Sequence, residues 1–194
     1  MKTTKVLETN ITETNINEVS KILNFSLNNR VAICNANTLV RSVKDLNIRN
    51  LINNFTIKTA DGFPVAKALS FLTKKKFSRV DGYKVFLQTI TDGLETNRRH
   101  YFFGNIENTT QQMIEKLKEM FPNIKISGHI CPEQMTAEEL AIKYKEEFRS
   151  INADIVWVSL GFPKQELFIE KICDEVDTNI NFVGIGGVFD WVAG

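Results

Sequence analysis

Ile57-Lys58-Thr59-Ala60-Asp61-Gly62-Phe63-Pro64 is the stretch that decides the fold. An extended, β-like run ends in an acid and a glycine follows at once. Pro64 then opens an apolar pattern of helical spacing at Val65, Ala68, Leu69 and Leu72. Proline suits the first helical position because its missing N–H would go unpaired there anyway. Asp61 therefore stands where a strand hands over to a helix, the edge of an α/β sheet at which ligands bind. Two roles are open to it: a helix-capping carboxylate or a general base.

Working outward, the same alternation repeats. Upstream, Val6–Thr12 alternates weakly and suits a strand or hairpin. Asn15 and Glu18 have capping-box spacing ahead of a helix carrying Val19, Ile22 and Leu23. Val31–Cys34 is a short apolar strand running into Asn35-Ala36-Asn37, with one or two short helices after it. Downstream, Val85, Phe86, Ile90 and Leu94 line a helix, and Tyr101-Phe102-Phe103 is a strand stopped by Gly104-Asn105. Asn108 or Thr109 is expected to cap the following helix. Ile124–Ile126 is the next strand, with Gly128-His129 at its end, and Thr136 and Glu139 form a second capping box. Ile155–Leu160 breaks at Gly161-Phe162-Pro163, where Pro163 starts a helix, and Asn181–Ile185 precedes Gly186-Gly187. Strands alternating with helices through short loops predict an α/β chain. The expected form is a single Rossmann-like domain with a mostly parallel sheet and helices on both faces.

The 194 residues suit one domain with a sizeable core. A charged fraction of 24% and a formal net charge of +1 supply no global field that would draw nucleic acid. Lys74-Lys75-Lys76 and Arg98-Arg99-His100 are local basic runs, read by default as solvated faces. Cys34, Cys131 and Cys173 are odd in number and scattered, which fits a reducing compartment, so the cytoplasm is the default location. With only His100 and His129, and no close Cys/His spacing read in the sequence, a structural zinc site is not expected and no metal ligands are assigned.

Four strand ends carry polar or glycine signals: Asn35-Ala36-Asn37, Asp61-Gly62, Gly104-Asn105 and Gly161 to Glu166. In a parallel sheet they share one edge, where glycines let a ligand approach and helix starts favour phosphate. A phosphate-bearing ligand is expected there. Gly184-Ile185-Gly186-Gly187-Val188-Phe189 nearly matches a dinucleotide fingerprint, but Phe189 replaces the third glycine and the sequence has no room for the ribose-binding acid about 20 positions later. A nicotinamide oxidoreductase is therefore disfavoured. The absence of a P-loop motif and of an Asp-x-Asp pair argues against an ordinary NTPase and a metal-bridged diphosphate.

Taken together and in order, these motifs resemble the WecG/TagA/CpsF glycosyltransferases. The resemblance rests on Asn35-Ala36-Asn37-Thr38-Leu39-Val40, Thr59-Ala60-Asp61-Gly62, Arg79-Val80-Asp81-Gly82, Phe103-Gly104, Leu160 to Glu166, and Gly184 to Asp190. It implies transfer of an N-acetylmannosamine-like sugar from a UDP-sugar to a polyprenyl-diphosphate-linked acceptor, building teichoic acid, common antigen or capsule. The reaction it implies inverts the anomeric centre without a metal or other cofactor, at the inner face of the membrane. By the same resemblance Asp61 is the base and Arg79 a cation for the departing diphosphate. Asn35, Asn37, Gly104, Asn105, Gly161, Gln165, Gly186 and Asp190 become substrate-binding positions. Outside the enzyme class, a non-catalytic nucleotide-binding scaffold is the competing reading.

Two departures stand out. Ile33 replaces a threonine common in the family, and Pro132-Glu133-Gln134-Met135 stands where Gly-Tyr-Phe is usual. Family members also continue past this C-terminus with an Arg-rich, membrane-docking segment. Residues 1–194 are accordingly expected to form one catalytic domain without that segment, binding UDP weakly, turning over poorly and prone to self-association through exposed apolar surface.

Overall fold

β7 (Ile155–Ser159) is buried at every residue, and a strand buried on both faces belongs in the middle of a helix-covered parallel sheet. The computed structural model, which describes residues 1–177 and 179–194, places it there. Six parallel strands run in the order β4 (Ile57–Ala60), β3 (Arg30–Cys34), β8 (Asn181–Gly184), β7, β5 (Arg99–Gly104) and β6 (Lys125–Ile130). A separate antiparallel hairpin joins β1 (Thr3–Val6) to β2 (Thr9–Thr12).

Side chains alternate across the sheet and feed two cores. Phe103, Val156 and Val158 face α2 (Ala36–Lys44), α3 (Leu46–Asn53), α4 (Phe63–Thr73), α7 (Ala137–Ser150) and α8 (Lys164–Glu175). Phe102, Trp157 and Val183 face α1 (Ile16–Phe25), α5 (Gly82–Gly93), α6 (Glu107–Met120) and α9 (Val188–Ala193). The expected α/β class, parallel sheet and two helical layers are all present. Both capping boxes form as read, Asn15 with Glu18 and Thr136 with Glu139. The cap expected at Asn108 or Thr109 does not: α6 begins at Glu107, behind Ile106, with no side-chain cap. Gly128 and His129 lie within β6, not beyond it.

The basic run Arg98-Arg99-His100 serves the edge opposite the predicted site. Asp154 accepts from the Arg99 backbone N–H at 2.8 Å and from Nη2 at 2.7 Å, and Arg98 stands 3.6 Å away. His100 is buried and accepts from the Trp157 indole N–H at 3.1 Å. Burial holds its pKa down near 4, so it is neutral at physiological pH.

At the other edge, β5 ends against β7. A Cβ on Gly104 (φ +120°) would lie 2.2 Å from the Ser159 carbonyl oxygen, closer than any side chain can sit. Gly161 also has positive φ, +76°, but a Cβ there would meet nothing within 4 Å. Gly104→Ala should therefore cost more than about 3 kcal/mol by combining strain with a backbone clash. Gly161→Ala should cost about 1–2 kcal/mol from backbone conformation alone. Urea melts of both variants test this, and equal losses would contradict the crowding.

Candidate active site

The strand order collects the C-terminal ends of β4, β3, β8, β7 and β5 on one edge, and with them Asp61, Asn35, Gly186, Gly161 and Gly104. β5 leads into α6, whose Met113 and Leu117 pack on the Phe102–Trp157 face. β7 leads into α8, whose Phe168 and Ile169 pack on the opposite face. Neighbouring strands whose helices depart to opposite faces leave a crevice between their ends. Here it is a cleft of about 400 Å³ whose walls include Asn105, Glu133, Gly161, Lys164, Gly186 and Asp190.

At Gly161 and Gly186 no side chain intervenes, so a ligand can lie against bare backbone. Asn105 donates from Nδ2 to Asp190 Oδ2 at 3.0 Å, which ties the end of β5 to the first turn of α9. Lys164 is the first residue of α8 and adds a cation to that helix start. It belongs to the Gly161–Glu166 motif but was not singled out from sequence; a lysine directly after Pro163 at a strand end was the available signal.

Gln165 lies beneath the cleft and is buried. Its Oε1 accepts from the Gly186 backbone N–H at 3.0 Å and its Nε2 donates to Glu166 Oε1 at 2.8 Å. Both ends of the amide are therefore engaged by protein, and Gln165 acts on the cleft by shaping the Gly186 turn. Glu166 was not assigned a role from sequence. It is fully buried, Oε2 has no partner among the described residues, and burial pushes its pKa up to about 7.

Asp61 stands at the far end of the edge, three strand positions from Gly161, or roughly 14 Å at ordinary strand spacing. The capping role falls away, because α4 is capped by Gly62 with no side-chain bond and Pro64 is its second residue. The Asp61 backbone N–H donates to the Cys34 carbonyl at 2.9 Å, so its backbone continues the sheet while its carboxyl is left for other work. That carboxyl is 24% exposed, and Arg79 Nε lies 3.9 Å from Oδ1. Burial raises its pKa above the ordinary value; the Gly62 N–H and Arg79 oppose this, and Asp81 adds to it.

Arg79 is held in place. Its Nε and Nη2 donate to Asp81 Oδ2 at 3.1 and 3.0 Å, while Asp81 Oδ1 caps α5 through the Lys84 N–H at 3.0 Å. The segment is pinned to β4 by the Val80 N–H on the Ala60 carbonyl and the Thr59 hydroxyl on the Val80 carbonyl, both at 3.0 Å. Asn35 caps α2 through the Thr38 N–H at 3.1 Å, and Asn37 is exposed in the first turn of the same helix. Ala36, next to Asn35, and Pro64, three residues past Asp61, line an apolar groove of about 460 Å³ together with Val6, Leu39, Phe71 and Leu72. The structure thus separates the sequence-derived residues into two groups on one edge. Asn35, Asn37, Asp61 and Arg79 belong to the β3–β4 end of the rim, while Asn105, Gly161, Gly186 and Asp190 line the cleft with Gly104 and Gln165 next to them.

Residues 4–194 match the model of the "Glycosyl transferase WecG/TagA/CpsF family". An N-acetylglucosaminyldiphosphoundecaprenol N-acetyl-beta-D-mannosaminyltransferase of Bacillus spizizenii is 30% identical over 134 residues, 69% of this chain and 50% of that protein. The protein of the same description from Bacillus subtilis is 24% identical over 168 residues, 84% of this chain and 62% of that one. The chain thus spans between half and about three-fifths of the length of these curated relatives. With the family model covering all but the first three residues, the chain belongs to the WecG/TagA/CpsF family of glycosyl transferases.

Proposed function

We propose that this chain carries the catalytic site of an inverting, metal-independent glycosyltransferase. It would move an N-acetylmannosamine-like sugar from UDP to a polyprenyl-diphosphate-linked N-acetylglucosamine in cell-surface polymer synthesis. The names of the two Bacillus relatives support the sugar and the acceptor. The observation that carries the reading is Asp61: a part-buried carboxylate at a strand end, relieved of capping, with raised pKa.

The chemistry follows from charge. The acceptor hydroxyl forms its bond to the anomeric carbon as the bond to the diphosphate oxygen breaks, and the hydroxyl proton passes to Asp61. UDP leaves without needing a proton but gains negative charge on its bridging oxygen. Arg79, Lys164 and the start of α8 answer that charge with cations and N–H groups. Uridine occupies the end closed by Asn105 and Asp190, and the diphosphate runs past Gly161 and Gly186 toward Asp61. The groove on the far side of Asp61 takes the lipid end of the acceptor.

That groove also suggests how the chain meets a membrane surface. Phe63 and Phe71 are 74% and 83% exposed, and α2 and α4 carry or adjoin the exposed Lys44, Lys67 and Lys74. Apolar side chains ringed by lysines fit an anionic lipid surface. No helix among the described residues is long and apolar enough to cross a membrane.

Asp61→Asn should lower kcat by about 10²–10⁴-fold, the usual worth of a general base, while leaving UDP affinity unchanged. In the unmodified chain the acidic limb of kcat/KM should sit above the usual carboxylate range, because a base with a raised pKa becomes active only at higher pH. The variant should lose that limb. Transfer assays with UDP-N-acetylmannosamine and a short-chain lipid-diphosphate acceptor measure both, and unchanged kcat in the variant would favour the scaffold reading. For the groove, co-sedimentation should show binding to anionic vesicles that falls sharply for neutral ones and in a Phe63→Ser/Phe71→Ser variant. Equal binding by the variant would contradict it.

A further inference from the structure

Outside the cleft, the described residues bring one group of metal-ligating side chains together. Glu107 opens α6, His129 lies in β6, and Cys131 follows two residues later. Residues two apart in extended chain point the same way, so His129 and Cys131 both face the start of α6. Their donor atoms and a Glu107 carboxylate oxygen all lie within 4.8 Å of one another, with His129 Nε2 2.9 Å from Glu107 Oε1. Donors on a tetrahedral zinc ion, with bonds of about 2.0–2.3 Å, stand roughly 3.3–3.8 Å apart. The trio's donor atoms thus already lie close to that spacing.

We propose that Glu107, His129 and Cys131 form a binding site for a zinc-class divalent cation at the edge of the sheet. The donor set selects the metal. Magnesium and calcium take oxygen ligands, whereas imidazole with thiolate suits zinc and its neighbours. A Cys131 thiolate and the Glu107 carboxylate together balance a 2+ charge, and three protein ligands leave one position for water.

The surroundings support the arrangement. Gln111 Nε2 donates to Glu107 Oε1 at 2.6 Å, orienting the carboxylate as an outer-layer partner does. The Cys131 thiol donates to Thr110 Oγ1 at 3.3 Å, and that hydroxyl reaches the Gly104 carbonyl at 3.5 Å. Without an ion, burial and the Glu107 charge keep the Cys131 thiol protonated, so binding must release its proton. Pro132, Glu133 and Gln134, which follow Cys131, line the cleft. A bound ion would clamp that wall to the start of α6. The expectation of no close Cys/His spacing is thereby corrected: His129 and Cys131 stand two residues apart, and the fold brings Glu107 to them.

Cobalt(II) titrated into chelator-treated protein provides the test, since thiolate ligation gives a charge-transfer band. We expect one equivalent to bind with that band, zinc to displace it, and isothermal calorimetry to show proton release. Cys131→Ser should lose the band, His129→Ala and Glu107→Gln should weaken zinc binding, and Cys173→Ser should behave as the parent. Circular dichroism confirms that each variant folds, and the two non-cysteine variants decide the matter if Cys131→Ser does not. Absence of the band in the parent chain, or its persistence in Cys131→Ser, would overturn the proposal. Neither result depends on the glycosyltransferase reading.

Discussion

Six strands running the same way must place all their C-terminal ends on one edge, and that constraint organises the molecule. It brings residues as far apart in sequence as Asn35 and Asp190 onto a single rim. The rim opens where β5 and β7 send their helices to opposite faces. The backbone is crowded at the same point, with β5 ending so close to Ser159 that only glycine fits at 104. Close strand contact below and divergent helices above are two consequences of one topology.

Charge is divided between the two edges. At the N-terminal ends of the strands, Arg98 and Arg99 are spent on Asp154 and His100 is neutral. At the C-terminal ends, charges are less fully paired. Asp61 is desolvated with Arg79 only nearby, and Lys164 stands at a helix start facing the cleft. The first arrangement is structural, and the second leaves electrostatic capacity for a ligand. Glu166, buried beneath Gly184 with an oxygen that has no partner among the described residues, extends this incompletely paired region below the rim.

Much of the architecture was legible because its signals are local. Capping boxes at Asn15 and Thr136 depend on residues three apart and formed as read. Strand order was not legible, since nothing in the periodicity of Asn181–Gly184 says that β8 inserts between β3 and β7. Asp61 could be placed at a strand end, but its release from capping depends on the backbone at Gly62, which periodicity does not report. Gln165 was legible as a member of the motif, whereas its engagement with Gly186 and Glu166 required the fold. The two-residue spacing of His129 and Cys131 is visible in the sequence, whereas the approach of Glu107, 22 residues before His129, required the fold.

The rim has a cleft at one end and the Asp61 carboxylate at the other, and the proposed function puts a nucleotide in that cleft. On that reading one ligand spans the two ends, with its reacting carbon delivered to Asp61. A crystal structure with UDP bound tests this most directly. The account predicts uracil against Asn105 and Asp190, and a diphosphate that passes Gly161 and Gly186 and points along the rim toward Asp61. UDP bound on another surface, or with its diphosphate directed away from Asp61, would contradict it.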